Sequence, residues 1–325
     1  MKQTMQPILR DIVLIGGGHT HVNVLRHFAM KPMLGVRLTV VCRDTHTPYS
    51  GMLPGYVAGH YTYDDVHIDL RRLAEFAGAR FFRSEVVGLD RHSRLVLCGD
   101  RPAVRYDRLS INIGSTPKLT DACSQIARTI AVKPIRQFNS HWLALLARVR
   151  TRPGSIRIAL VGGGAGGVEL LLAIQHRLRH ELNLLDEDPN ALKFSLFTRG
   201  SSILPTHNHS VQRHFMRTLQ SRGVAVHVNA AVVAVDDQGL TTVNDEHHFA
   251  DEVIWVTRAG GAGWLRDTGL ALDADGFIEV TDTLQTVTDP DIFAAGDIAT
   301  MINHPREKAG VFAVRQGLPL ARNLR

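Results

Sequence analysis

Several things that would each point to a function class are scarce in this chain. Among 325 residues there are three cysteines, Cys42, Cys98 and Cys123. They are odd in number, widely spaced and without a C-x-x-C pair. This excludes a disulfide framework and a zinc ribbon, and suits reduced thiols in a cytoplasmic protein. No apolar run approaches the roughly 18 residues that a membrane-spanning helix requires. The opening "MKQTMQPILRDIVLIGGG" is a poor signal peptide, because Asp11 interrupts it and a glycine turn follows directly. Long Lys/Arg blocks and low-complexity segments are also missing. The net charge of +6, with His neutral, is scattered along the chain. Nucleic acid is therefore not an expected partner, and a phosphate-bearing cofactor suits the modest excess.

What is present begins with length and core. The chain is long enough for two ordinary domains, and its 44% hydrophobic content supplies a sizeable core. The run Ile12-Val13-Leu14-Ile15 leads into "GGGHTH" and then into Val22-Asn23-Val24-Leu25. This reads as a buried strand, a glycine turn and the start of a helix. Gly16 and Gly18 fit the first two positions of G-x-G-x-x-G, with Gly17 between them, but His21 occupies the third. Near mid-chain "IRIALVGGGAGGVELL" repeats the pattern, with Gly162, Gly164 and Gly167 in all three positions. One such motif is a weak signal; two, each directly after an apolar strand, are a strong one. The first glycine permits the tight turn, the second lets the backbone approach a pyrophosphate, and the third lets helix and strand pack closely. The helix N-terminus then offers free N–H groups to the phosphates. His21, at the packing position, is expected to pack and hydrogen-bond, while His19 lies on the turn and faces a cofactor. No acid or cysteine stands near either histidine in sequence, so no metal site is expected.

The next strand of such a unit ends near a ribose-binding acid. After Val36–Val41 that position falls closest to Cys42, with Arg43 next and Asp44 two residues late. After Phe194–Phe197 come Thr198 and Arg199, without a carboxylate. An Arg in place of an acid points toward a 2′-phosphate, hence NADPH over NADH; a solvated loop Arg fits equally. Helices are expected ending at Gly78, around 139–150, from about Ser210 to Gly223, and from about Gly310. Strands are expected at 224–228 and 253–256.

At this point the motifs resemble a family. "YDRLSINIGSTP" and "DIFAAGD" are similar to segments of the pyridine nucleotide-disulfide oxidoreductase superfamily, in the family's order and across nearly the whole chain. "TPYSGMLPGYVAGHY" and "KAGVFAVRQGLPLARNL" look like the FAD-dependent domain found alone or fused to the N-terminus of selenide, water dikinase, with type II NADH dehydrogenases and sulfide:quinone oxidoreductases as relatives. The resemblance implies an α/β fold of two dinucleotide-binding, Rossmann-like domains, the second inserted into the first. The FAD domain would span 1–118 and 286–325, and the NAD(P)H domain 119–285. It implies FAD held by the first turn, by Gly114 and by Asp297, whose carboxylate would bond the ribityl chain. NADPH or NADH would sit on the second turn. Gly310 would open a helix aimed at the flavin, with Lys308 either adding charge or simply solvated. Glu169 would lie near the nicotinamide and flavin, either as a buried carboxyl with a raised pKa that relays protons or as a hydrogen-bond partner of the helix N-terminus.

Two departures from the family matter. Where disulfide reductases carry their cysteine pair, this chain reads Tyr49-Ser50-Gly51-Met52-Leu53-Pro54-Gly55. Relatives also continue into a C-terminal dimer or membrane domain beyond the point matching Arg325, so the membrane and oligomer readings lose their usual support and the oligomeric state stays open. The expected activity is FAD-dependent NAD(P)H oxidation without a redox disulfide. The acceptor would be a quinone or an oxidised selenium or sulfur species, and the resemblance suggests a link to selenide, water dikinase and selenium metabolism. Two alternatives are a sulfide:quinone-type enzyme using Cys42 or Cys123, and a flavin- and nucleotide-binding regulatory module with little turnover.

Overall fold

Four consecutive apolar residues offer water no polar face, so Ile12 to Ile15 suit a strand covered on both sides. In the computed structural model, which describes residues 7–117, 129–132, 135–151, 154–257 and 259–325, none of the four is more than 1% exposed. The principal elements in chain order are β1 (Arg10–Ile15), α1 (His19–Met30), β2 (Val36–Cys42), β3 (Arg80–Arg83), β4 (Arg108–Ile111), β5 (Thr129–Ala131), α2 (Ile135–Thr151), β6 (Ile156–Val161), α3 (Ala165–Leu184), β7 (Leu192–Phe197), α4 (His209–Ser221), β8 (Val224–His227), β9 (Glu252–Trp255), β10 (Ile292–Ala294) and α5 (Gly310–Asn323).

The chain divides into two compact units. The first comprises Met1–Gly51, Val66–Thr116 and Gly260–Arg325, and the second Met52–Asp65 and Pro117–Ala259. The boundary expected at residue 285 thus falls earlier. The strand Ile278–Val280 pairs with Ala299–Met301, so this segment packs with the first unit.

The first unit is built on a parallel sheet of order β10-β4-β1-β2-β3. The second has a parallel sheet of order β5-β9-β6-β7-β8. Each also carries a three-stranded antiparallel meander, Val86–Asp90, Leu95–Cys98 and Val104–Arg105 in the first, and Val232–Val235, Gly239–Thr242 and His247–Phe249 in the second. The repeated glycine motif therefore belongs to a repeated architecture. In both sheets the strand before the glycines is central, with its sequential neighbour on one side and a later strand on the other. Such a switch point opens a crevice beyond the strands' carboxyl ends, where the glycine turns lie.

Within the first unit α1 and α5 pack side by side. Thr20 donates its hydroxyl to Ala313 O at 2.7 Å, and Gly317 lies against Asn23 too closely to carry a Cβ. Within the second unit a carboxylate clamps α2 to α3. Glu181, with 7% of its side chain exposed, accepts two bonds from Arg150 at 2.7 and 2.9 Å and one from Arg177 at 2.7 Å. The Arg150 bonds, helped by Arg177, hold its carboxyl down at about 2.

Because the folded carboxyl binds its proton so weakly, its contribution to stability is present above about pH 4.5 and is lost as pH falls toward 2. Glu181→Gln should cost about 3 kcal/mol at neutral pH, since two guanidinium groups lose their partner. Urea melts across that pH range would show the variant with a shallower acid slope than the parent; equal slopes would exclude the clamp as its source.

Candidate functional site

The first glycine turn is organised around Asn112, which follows β4. Asn112 donates its backbone N–H to Ile15 O at 2.8 Å, and its carbonyl accepts from Gly18 N–H at 3.1 Å. Its side-chain oxygen accepts from His21 N–H at 3.3 Å, and its side-chain NH₂ donates to Ala295 O at 2.6 Å. One buried amide thus joins the glycine turn, the start of α1 and the segment after β10. It also explains the glycines around it. A Cβ at Gly16 (φ +88°) would stand 2.6 Å from Asn112 O, and one at Gly18 would strike Asn112 Oδ1. A Cβ at Gly296 (φ +70°) would stand 2.5 Å from Asn112 Nδ2. Gly18 is therefore required by a neighbour inside the protein as well as by any phosphate outside it.

His21 is fully buried. Its Nδ1 lies 2.7 Å from Gly16 O and its Nε2 2.8 Å from Ser110 Oγ. A carbonyl only accepts, so Nδ1 carries the proton and Nε2 accepts from the serine hydroxyl. Burial holds the imidazole down at about 4, against the partial opposition of the Gly16 carbonyl. The second turn shows what His21 replaces. A Cβ at Gly167 would collide with Gly162 O, the carbonyl equivalent to Gly16 O. Where the second turn brings the helix onto that carbonyl, the first spaces it away and fills the gap with an imidazole hydrogen-bonded to the same group.

The first unit also gathers the other residues expected to hold FAD. The His19 ring lies 4.7 Å from that of Tyr49, and burial lowers its pKa. The Gly310 Cβ position is 3.2 Å from the Tyr49 ring, so the N-terminus of α5 abuts this pair. Gly296 donates its N–H to Gln316 Oε1 at 2.7 Å, fixing the turn that carries Asp297. Asp297 and Lys308 share a shallow pocket with Ala309, Phe312 and Gln316. Lys308 donates to Ala299 O at 2.5 Å and to Thr300 Oγ1 at 2.9 Å, over the face of Phe277. Burial pushes its pKa down, while Asp273 and Asp297 oppose this. Gly114 (φ +74°) has no atom within 4 Å of the place a Cβ would take. Cys42 Sγ stands 3.4 Å from the Gly17 Cβ position, where a ribose-binding acid was sought, and burial raises its thiol pKa. Arg43 pairs with Asp44 at 3.4 Å and with Glu85 at 3.7 Å, so it is committed to neighbouring carboxylates.

In the second turn Gly162 (φ +133°) presses on Val256 O, and Gly163 leaves no room beside Thr198. Gly164, by contrast, has nothing within 4 Å of its Cβ position, and Gly166 is equally open. Arg199 is exposed beside this turn and makes no ion pair among the described residues. Glu169 is exposed on α3 rather than buried, because Gly167, Val168, Leu170 and Leu171 take the buried face. Cys123 lies outside the described residues.

Both helices start at glycine N-caps, Gly18 and Gly164, without an acid in the first turn; in α1 Asn112 Oδ1 takes the His21 N–H and the earlier N–H groups are left uncapped. Uncapped N–H groups and the helix dipole favour an anion, and the open face at Gly164 admits one against the backbone. This arrangement fits dinucleotides with a pyrophosphate at each turn.

The sequence pattern of the pyridine nucleotide-disulphide oxidoreductases matches residues 10–317. The chain belongs to that family. Its members are FAD-dependent oxidoreductases of pyridine nucleotides, and the chain's relatives include proteins of the NADH dehydrogenase type. It is 22% identical over 302 residues to an NADH dehydrogenase-like protein of Bacillus subtilis, covering 91% of this chain and 79% of that one. It is 30% identical over 151 residues to the type II NADH:quinone oxidoreductase of Haemophilus influenzae, covering 45% of this chain and 34% of that one. In fold it resembles the NADH-bound, water-forming NADH oxidase of Lactobacillus brevis, with a TM-score of 0.80 at 19% identity over 97% of this chain and 69% of that one.

Sequence reasoning passed over Asn112, Ser110, Tyr49 and Gln316. Two of them were visible as polar residues inside the apolar stretch Leu109-Ser110-Ile111-Asn112-Ile113, where a buried polar group demands a partner.

Asn112→Ala should leave Ala295 O and the His21 N–H unpaired, at about 1–3 kcal/mol for each buried group. Urea denaturation and flavin content per protein would both fall; unchanged flavin content would free Asn112 from any role in shaping the turn. For His21 the unfolded imidazole takes up a proton near pH 6.5 and the folded one only near 4. Stability is therefore full above about pH 6.5 and declines by about 3 kcal/mol as pH falls toward 4. His21→Gln should flatten that part of the stability profile, measured by denaturant titration at stepped pH; a profile identical to the parent's would refute the assignment.

Proposed function

We propose that this chain is an FAD-dependent NAD(P)H oxidoreductase that works without a redox disulfide and delivers electrons to a small acceptor, in first place a quinone. The observation that carries the reading is the pair of uncapped glycine turns at the switch points of two parallel sheets, one shaped by Asn112 and one open at Gly164. Gly16, Gly17, Gly18 and His19 would hold FAD with Gly114, Asp297 and Gly310. Gly162, Gly164, Gly167 and Arg199 would hold NADPH or NADH. When bound, FAD supplies reversible two-electron exchange between the nicotinamide and the acceptor. The names of the Bacillus and Haemophilus relatives support NADH and a quinone as the two ends of that exchange.

The protein's share is position and charge. The N–H groups at the starts of α1 and α3 would carry pyrophosphate charge, and the uncapped start of α5 would put a partial positive charge at the site of Gly310. Lys308 is tied to Ala299 O and Thr300, so it acts as a fixed charge near Asp297 rather than as a free proton donor. Glu169, exposed on α3 two residues after Gly167, is the residue proposed to relay protons at the nicotinamide. The segment Tyr49–Gly55 has no cysteine to relay electrons. Cys42 is a half-buried thiol whose desolvation raises its pKa, which disfavours the thiolate that sulfide chemistry needs.

Anaerobic mixing with NADH and with NADPH, followed by reoxidation with a quinone, selenite or oxygen, tests the reading. Bleaching of the yellow protein by one nucleotide and fastest recovery with quinone are expected. Recovery fastest with selenite would transfer the reading to selenium chemistry and give weight to a link with selenide, water dikinase. Bleaching by dithionite alone would favour a regulatory module. A Cβ at Gly164 meets no atom within 4 Å, so Gly164→Val should fill the phosphate approach and leave a variant that stays yellow, keeps its melting temperature and resists both nucleotides. If it bleached as fast as the parent, the second turn would not be the nicotinamide nucleotide site.

A further inference from the structure

At the end of the first unit opposite the glycine turn, large apolar side chains stand in water. Leu9 is 79% exposed, Leu34 77%, Met30 68% and Ile8 49%. They are neighbours through the backbone. Leu9 N–H bonds Gly35 O at 2.8 Å, and the Leu9 side chain reaches within 3.1 Å of the Gly35 Cβ position. Met30 ends α1 one residue before Lys31, whose carbonyl accepts from Arg325. Single exposed apolar residues are ordinary; a cluster on one tip is not.

Cations surround the tip. Arg26, Lys31 and Arg322 are exposed and Arg10 half-buried, and none of the four is in an ion pair among the described residues. Some arginines elsewhere are paired, as in Arg94–Asp291, Arg148–Glu252 and Arg157–Asp251, and others, such as Arg199, are not. Neither 12–43 nor 308–325 contains a single Asp or Glu. Asp11, next to Arg10, is bonded to Arg37 and offers the tip no free negative charge. Along α5, Val311, Val314 and Leu318 extend the apolar surface, at 44%, 39% and 45% exposed, with Arg315 and Arg322 beside them.

We propose that this tip docks on an anionic lipid bilayer, with Leu9, Met30 and Leu34 entering the headgroup boundary and Arg10, Arg26, Lys31 and Arg322 meeting lipid phosphates. Apolar side chains beside unpaired cations, with Asp11 and Asp107 at this end engaged by Arg37 and by the Asp11 N–H, match the two attractions that hold peripheral proteins to such surfaces. An acidic protein surface would match the cations but not the exposed leucines. No helix among the described residues is long and apolar enough to cross a membrane, so the contact is peripheral. The docking does not rest on the proposed reaction.

The test is co-sedimentation of the full chain with vesicles of phosphatidylcholine alone and of phosphatidylcholine with phosphatidylglycerol, without nucleotide or acceptor. Binding to the anionic vesicles only, and release in about 1 M salt, where the Debye length is about 3 Å, is expected. Arg26→Gln with Lys31→Gln should weaken binding about fivefold per charge, equivalent to about 1 kcal/mol each. Met30→Glu with Leu34→Glu should abolish it. All four positions are exposed, so flavin colour and melting temperature should match the parent. No sedimentation with either vesicle, equal binding to both, or a dimer seen by light scattering that Met30→Glu with Leu34→Glu dissociates, would each overturn the proposal. Failure of nucleotide to bleach the flavin would leave it standing.

Discussion

One buried asparagine holds the first nucleotide site in shape. Asn112 uses its backbone N–H, its backbone carbonyl and both ends of its side-chain amide to join β1, the glycine turn, α1 and the segment after β10. Segments near residues 16, 112 and 296 have no reason in local propensity to meet. Inside a dry sheet end, however, an unpaired amide is costly, and its partners are held wherever it is satisfied. The absence of side chains at Gly16, Gly18 and Gly296 follows from the space this amide occupies. Asp297 and the start of α5 are then placed by the same joint, through Gly296 and Gln316.

The two turns solve one problem in two ways. Each needs a helix start near a strand end, with N–H groups left free for an anion. The second brings helix and strand into contact through Gly167 and leaves Gly164 open. The first accepts a wider gap, fills it with His21 and satisfies both ring nitrogens internally. In the neutral imidazole Nδ1 donates to Gly16 O and Nε2 accepts from the Ser110 hydroxyl. Burial, which disfavours charge, enforces that state.

Charge is distributed unevenly over the first unit. The strand ends beyond which the glycines lie expose uncapped helix starts and a fixed ammonium at Lys308. The opposite end combines unpaired cations with exposed apolar residues. Neither end carries free acids in the stretches 12–43 and 308–325.

The amino-acid sequence by itself determined the repeated strand–turn–helix, the glycines at 16, 18, 162, 164 and 167, the helices near 210–223 and from 310, and the family. These are local or periodic features, legible because backbone geometry and buried runs restrict which residues can occur there. It also left a trace of Asn112 and Ser110, as polar residues within an apolar strand, without saying what they hold. Only the tertiary structure decided why Gly18 must lack a side chain, why His21 can stand where a glycine usually does, that Arg43 is spent on Asp44 and Glu85, that Glu169 faces water, and that residues 260–285 pack with the first unit. Each of these depends on a neighbour distant in sequence, and the free energy of a buried amide, an ion pair or an exposed face is set by what surrounds it in space.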